Sequence, residues 1–189
     1  MFGILAAAAA VASEPAQPEC AYDREEVLAL DFVAFDQTEG KGWRPLHDAQ
    51  CFKEAAELLR DWRAKHGDVN SILPWHEAQM WAFGGRTDLA LPMFESTHRN
   101  GESTYVVTWN LYVDGTLAFL RRNRPALEAA IAGLAAIPRP ANWDKAVGAD
   151  GQPISVPWPQ NLDVLQGLLR CWEQPYAVAY VCRDIPKLR

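Results

Sequence analysis

Residues 74–94, PWHEAQMWAFGGRTDLALPMF, constrain the fold more than any other stretch of the chain. Wound as a helix, positions 72–83 place apolar side chains on nearly every side, with His76, Glu77 and Gln79 the only polar interruptions. A helix apolar around most of its circumference has no face for water and must be sandwiched between neighbours. Gly84-Gly85 then supplies a turn, and a second helix is predicted from Thr87 to Arg99. The run also opens on His76-Glu77, the first half of a zinc-hydrolase signature. That chemistry needs a second histidine one helical turn on, so that two imidazoles face one metal while Glu polarises a water. Met80 stands there instead, and a thioether does not replace imidazole in such a site. The stretch therefore predicts a packed helical hairpin and no metal.

The flanking segments keep the helical period. Asp23 caps a helix predicted from Asp23 to about Phe35, with Val27, Leu30, Val33 and Ala34 facing inward. TEGKGW reads as a loop. A strongly amphipathic helix follows from about Asp48 to His66, carrying Phe52, Ala55, Ala56, Leu59 and Trp62 on one face until Gly67-Asp68 ends it. Ser103 or Thr104 caps the next run, to Arg122. Its Val106, Val107 and Thr108 suit a strand, but Trp109, Val113, Leu117 and Leu120 recur at helical steps over too long a run. Asn123-Arg124-Pro125 turns the chain into residues 126–137, with proline at the first helical position. Five prolines between 138 and 159 make residues 138–160 a loop. Asn161 caps a further helix, and Pro175 starts a terminal piece, Tyr176 to Cys182, that reads as either helix or strand. With no definite strand, the chain is predicted to be all-α.

Ala78 lies seven residues before Gly85, Ala90 five after it and Phe94 four beyond that. This small–Gly–small–aromatic spacing resembles the tetratricopeptide repeat, in which small residues let two antiparallel helices approach and the glycine turns the chain. Ala55 and Leu59 before it, and Ala118, Ala130 and Leu134 after it, form weaker copies. At the downstream turn Asn123 stands where a glycine would sit comfortably. The resemblance covers residues 42–137 and lacks the Trp-Leu-Gly-Tyr signature. It implies antiparallel hairpins stacked as a short α-α superhelix within one domain, 23–189, capped by the N-terminal helix and by residues 161–189. It also implies a concave groove for an extended peptide or helix. Some members grip a carboxylate there with Lys and Asn. The matching helices here show Glu77, Gln79 and Asn110 and no lysine, so that clamp is not implied, and Asn110 is left as the candidate groove contact.

The N-terminus bears on compartment. Phe2 to Ala12 is uncharged and apolar, ends in Ala10-Val11-Ala12, and is followed by Ser13-Glu14-Pro15. This reads as a signal peptide over residues 1–12, followed by an extended segment over 13–22, although no Lys or Arg precedes the apolar run. The run is shorter than the ~20 residues a membrane-spanning helix needs, so no stable membrane insertion is expected after cleavage. A periplasmic or secreted location follows. Cys20, Cys51, Cys171 and Cys182 are an even set in such a chain and suggest disulfides. Of the possible pairings we favour Cys20–Cys51 and Cys171–Cys182; the second requires a short or bent final segment, because its cysteines must come within ~7 Å at Cα.

A net charge of −6 argues against nucleic acid and anionic lipid as partners. No phosphate-cradling loop, nucleophile elbow or metal-ligand spacing is present, so no cofactor, metal or catalytic residue is predicted. His66 and His98 fall where helix ends favour a cation. Arg121, Arg122 and Arg124 read as a solvated surface. Eight tryptophans are the compositional anomaly. Trp62, Trp75, Trp81 and Trp109 lie on apolar helix faces, whereas Trp43, Trp143 and Trp158 lie in loops and are the candidates for ligand contact. The expectation is a non-catalytic envelope protein that binds a protein or peptide. The alternatives are a carbohydrate- or peptidoglycan-binding protein using Trp143 and Trp158, and, more remotely, a hydrolase using His76 and Glu77.

Overall fold

The computed structural model describes residues 20–67, 72–141, 143–145, 147 and 157–183. The signal peptide, most of the extended segment and the middle of the proline-rich loop lie outside them. The chain is all-α, with no strand among the described residues. Helix α4 (Ile72–Phe83) is sandwiched between α3 (Phe52–His66) and α5 (Thr87–Ser96). Its buried residues run right round its circumference, from Leu73 and Trp75 through Glu77, Ala78 and Gln79 to Ala82. The next hairpin pairs α6 (Thr104–Leu120) with α7 (Arg124–Ala135), and α8 (Leu162–Arg170) packs against both. Ala78, Ala90 and Phe94 are fully buried where α4 and α5 meet. The small side chains there allow the close approach that a larger one would prevent.

Three helix ends close in the same way. After α4, Arg86 N–H bonds to Trp81 O (2.8 Å) and Gly85 N–H to Ala82 O (3.1 Å), with Gly85 at φ +74°. This is the double bond of a Schellman motif, which satisfies two carbonyls left over at a helix end. The end of α6 repeats it with Asn123 to Ala118 and Arg122 to Phe119. The left-handed residue there is Arg122, at φ +56°, one position earlier than the sequence places it. Asn123 instead caps α7, its Oδ1 accepting from Ala126 N–H at 3.2 Å. A third copy ends a short helix, α2 (Arg44–Asp48), with Gln50 at φ +61°. Separating α2 from α3 corrects the prediction of one helix beginning near Asp48. Pro45, in the first turn, is the signal for it.

The N-terminal helix is also shorter than predicted. Helix α1 spans Arg24–Leu28, with Asp23 accepting from Glu26 N–H. The chain then breaks and resumes as a π-turn over Val33–Gln37. At the other end, α9 (Tyr176–Tyr180) settles the last element as helix. The cysteines pair as Cys20–Cys51 and Cys171–Cys182, with Cα separations of 5.6 and 6.2 Å. The turn over residues 171–175 supplies the bend the second bridge requires. Of the described residues, no helix is long and apolar enough to cross a membrane.

Candidate functional site

The site begins with the break after α1. Asp31 accepts a hydrogen bond from Ala34 N–H at 2.8 Å and so restarts the chain. The wider π-turn rotates the following side chains away from the register of a single helix. Val33, predicted inward, is 61% exposed, while Phe35 and Asp36 go fully inside. Phe35 stacks on Trp62 with ring centroids 4.7 Å apart.

A carboxylate at Asp36's depth is costly unless each oxygen is hydrogen-bonded. Its Oδ1 accepts from Trp43 Nε1 (2.9 Å) and His76 Nδ1 (2.8 Å), and the Gln37 amide bonds to Oδ2. Arg44 Nε and Nη2 grip the Asp36 backbone carbonyl, at 2.9 and 2.5 Å. Burial raises the Asp36 pKa, but hydrogen bonds from His76 and Trp43 and the Arg44 charge outweigh it. The net position is below the ordinary carboxylate value. Asp36 is therefore an anion at neutral pH and can only accept, so the proton between it and His76 sits on Nδ1.

His76 lines a cleft of about 660 Å³ with Trp43, Arg44, Phe83, Tyr180 and Arg183. Helices α2, α4 and α9 form its walls. With Nδ1 bonded to Asp36, His76 Nε2 has no hydrogen-bond partner among the described residues. Behind the cleft, burial holds the Tyr112 and Tyr176 hydroxyls far above the usual range, so they stay neutral. The buried Tyr176 hydroxyl has no hydrogen-bond partner among the described residues.

The predicted site residues do not converge. Trp43 is 4% exposed, not open to solvent: its indole N–H is bound to Asp36, and the residue forms part of the cleft wall. Trp143 and Trp158 pack edge-to-face on each other, centroids 4.7 Å apart, and Trp158 N–H bonds to Ile137 O at 3.0 Å. Asn110 uses its amide on the backbone of Arg99, donating to O and accepting from N–H, both at 2.9 Å. His76 and Glu77 turn to different neighbours. Glu77 is buried against Arg63 on α3 (2.5 Å), and its burial raises its carboxyl above the usual value in spite of Arg63.

Other polar residues also have local roles. His66 bonds to Leu28 O and His98 to Asp114, each at 2.9 Å. Arg121 pairs with Glu95, Arg122 bonds to Trp172 O, and Arg124 pairs with Glu128. Cys20, Cys51 and Glu54 form the one metal-type cluster among the described residues, but its two sulfurs are consumed by the disulfide.

Sequence reasoning misses Asp36 and Arg44 altogether. The adjacent Trp43-Arg44 at the end of the loop is the available signal. No family model, no curated protein and no solved structure matches this chain.

Proposed function

We propose that the protein is a non-catalytic helical-hairpin protein of tetratricopeptide-like build that binds a protein or peptide segment in the cleft between α2, α4 and α9. The observation that carries this reading is the lining itself. Among the described residues it combines aromatic surface from Phe52, Phe83 and Tyr180 with two imidazoles, His47 and His76, and includes no Ser, Thr or Cys. The cleft opens beside an apolar edge of α9, where Val178 and Val181 are 48% and 66% exposed. Aromatic and apolar side chains interleaved with placed polar ones, here Arg44, His76, Gln79 and Arg183, are a usual composition of a binding site. Two disulfides support work outside a reducing compartment, in keeping with an envelope or secreted location.

Photo-cross-linking tests this reading. A benzophenone amino acid replacing Val181, in the native cell, is expected to capture a discrete protein or peptide. The same group replacing Tyr105, exposed at 55% and outside this cleft, is expected not to. Equal capture from both positions, or capture of polysaccharide alone from Val181, would overturn it.

A further inference from the structure

We propose that the Cys171–Cys182 disulfide is a redox latch on the wall of the cleft: its reduction by a dithiol frees α9 and releases that wall. The proposal concerns how the wall is held and is independent of what the cleft binds. Three observations lead there. The first is position. The two cysteines lie 11 residues apart, one ending α8 and the other just beyond α9, so the bridge closes a loop around that one helix. Ala177, Tyr180 and Val181 from this loop, and Arg183 just after it, line the cleft.

The second is what else holds α9. A helix of five residues does not persist on its own backbone bonds. Tyr176 and Ala179 anchor its inner face, while Val178 and Val181 stay 48% and 66% exposed. The docked position also strands polar atoms. Among the described residues three buried side-chain polar atoms lack a hydrogen-bond partner. Two of them belong here: the Tyr176 hydroxyl at the start of α9 and Arg183 Nε just past its end. Release returns both to water, which offsets the loss of the Tyr176 contacts. With contacts and stranded groups opposed in this way, the covalent tie decides whether α9 stays docked.

The third is access. Cys171 and Cys182 are both partly exposed, whereas Cys51 of the other bridge is 2% exposed. Either cysteine of the latch is open to attack by a thiolate, but only Cys20 of the other pair is. One thiolate of the reductant forms a mixed disulfide with one cysteine and expels the other as a thiolate, which takes up a proton. The reductant's second thiol then closes its own disulfide and releases the first cysteine. Two electrons pass from the dithiol to the bridge, leaving two protein thiols.

The experiment treats the full-length protein with increasing dithiothreitol at neutral pH, then blocks free thiols with iodoacetamide and locates them by peptide mass. Cys171 and Cys182 are expected to label before Cys20 and Cys51. Where only the first pair is labelled, amide exchange over residues 176–182 is expected to be about a hundredfold faster than in the oxidised protein, the ratio that closing a loop of this length contributes. Exchange in α3 should change less than about threefold. Cys171→Ser combined with Cys182→Ser should show the fast exchange without reductant; if that variant does not fold, the wild-type titration alone decides. Acceleration below about threefold at 176–182, equal acceleration along the whole chain, or earlier labelling of Cys20 and Cys51 would overturn the latch. None of these readouts uses a ligand, so such a failure leaves the binding reading of the cleft standing.

Discussion

Gly42→Ala is expected to destabilise the fold by about 3 kcal/mol or more, among the larger effects a single methyl group can have. Two causes add. Gly42 has φ +60°, a backbone region costly for residues with a Cβ. A Cβ built there would also lie 1.8 Å from the Phe35 carbonyl oxygen and 2.8 Å from its Cα. Those are backbone atoms of the π-turn that carries Asp36 inward, so no side-chain rotation relieves the overlap. Gly40→Ala is the internal control: it has φ +68° but nothing within 4 Å of an added methyl, and should cost only about 1–2 kcal/mol. Thermal melts should place Gly42→Ala about 6–12 °C below wild type, well below Gly40→Ala. Equal melting of the two variants would show that the loop does not pack on Phe35 in this way.

Asp36→Ala is the second large effect, expected at about 3 kcal/mol because it strands the Trp43 indole N–H and the His76 Nδ1–H in a buried setting. Asp36→Asn should cost less, since its oxygen still accepts from both. The pair separates hydrogen bonding from charge. The Asp36 pKa is lowered on folding, so its charge contributes stability that is fully present above the unfolded value, about 3.9. That contribution is lost as pH falls through the folded value. Asp61, lowered by Arg24 and Arg60 against its own burial, contributes with the same sign. Glu77 is raised by burial and has the opposite sign: its contribution is present below its unfolded value and lost as pH rises through its folded one. Denaturant midpoints between pH 6 and 3 should therefore fall less steeply in Asp36→Asn than in wild type. Parallel profiles would place Asp36 in an environment no different from that of the unfolded chain.

The hairpin is legible in the sequence because its cause is local. Apolar residues all round α4 demand neighbours on both sides, and Gly85 supplies the positive φ of the turn. The disulfide pairing is legible for a similar reason, since only a short final segment brings Cys171 and Cys182 together. The site is not legible. Asp36 is surrounded by partners from 7 and 40 residues away, Trp43 and His76, and it reaches them only because the chain breaks at Asp31 and widens into a π-turn. The periodicity of Val27, Leu30, Val33 and Ala34 matches a continuous helix and gives no sign of that break. Trp43 misleads for the same reason: a tryptophan in a loop looks exposed until the carboxylate that holds its N–H is known.

Whether the buried Asp36 holds a proton on His76 Nδ1 is the central question, and the imidazole ¹⁵N spectrum of the free protein at neutral pH measures this without any ligand. The structure predicts that His76, identified by its loss in His76→Phe, carries a proton on Nδ1, bonded to Asp36. A proton on Nε2 with a bare Nδ1, or an equal mixture of the two tautomers, would contradict it.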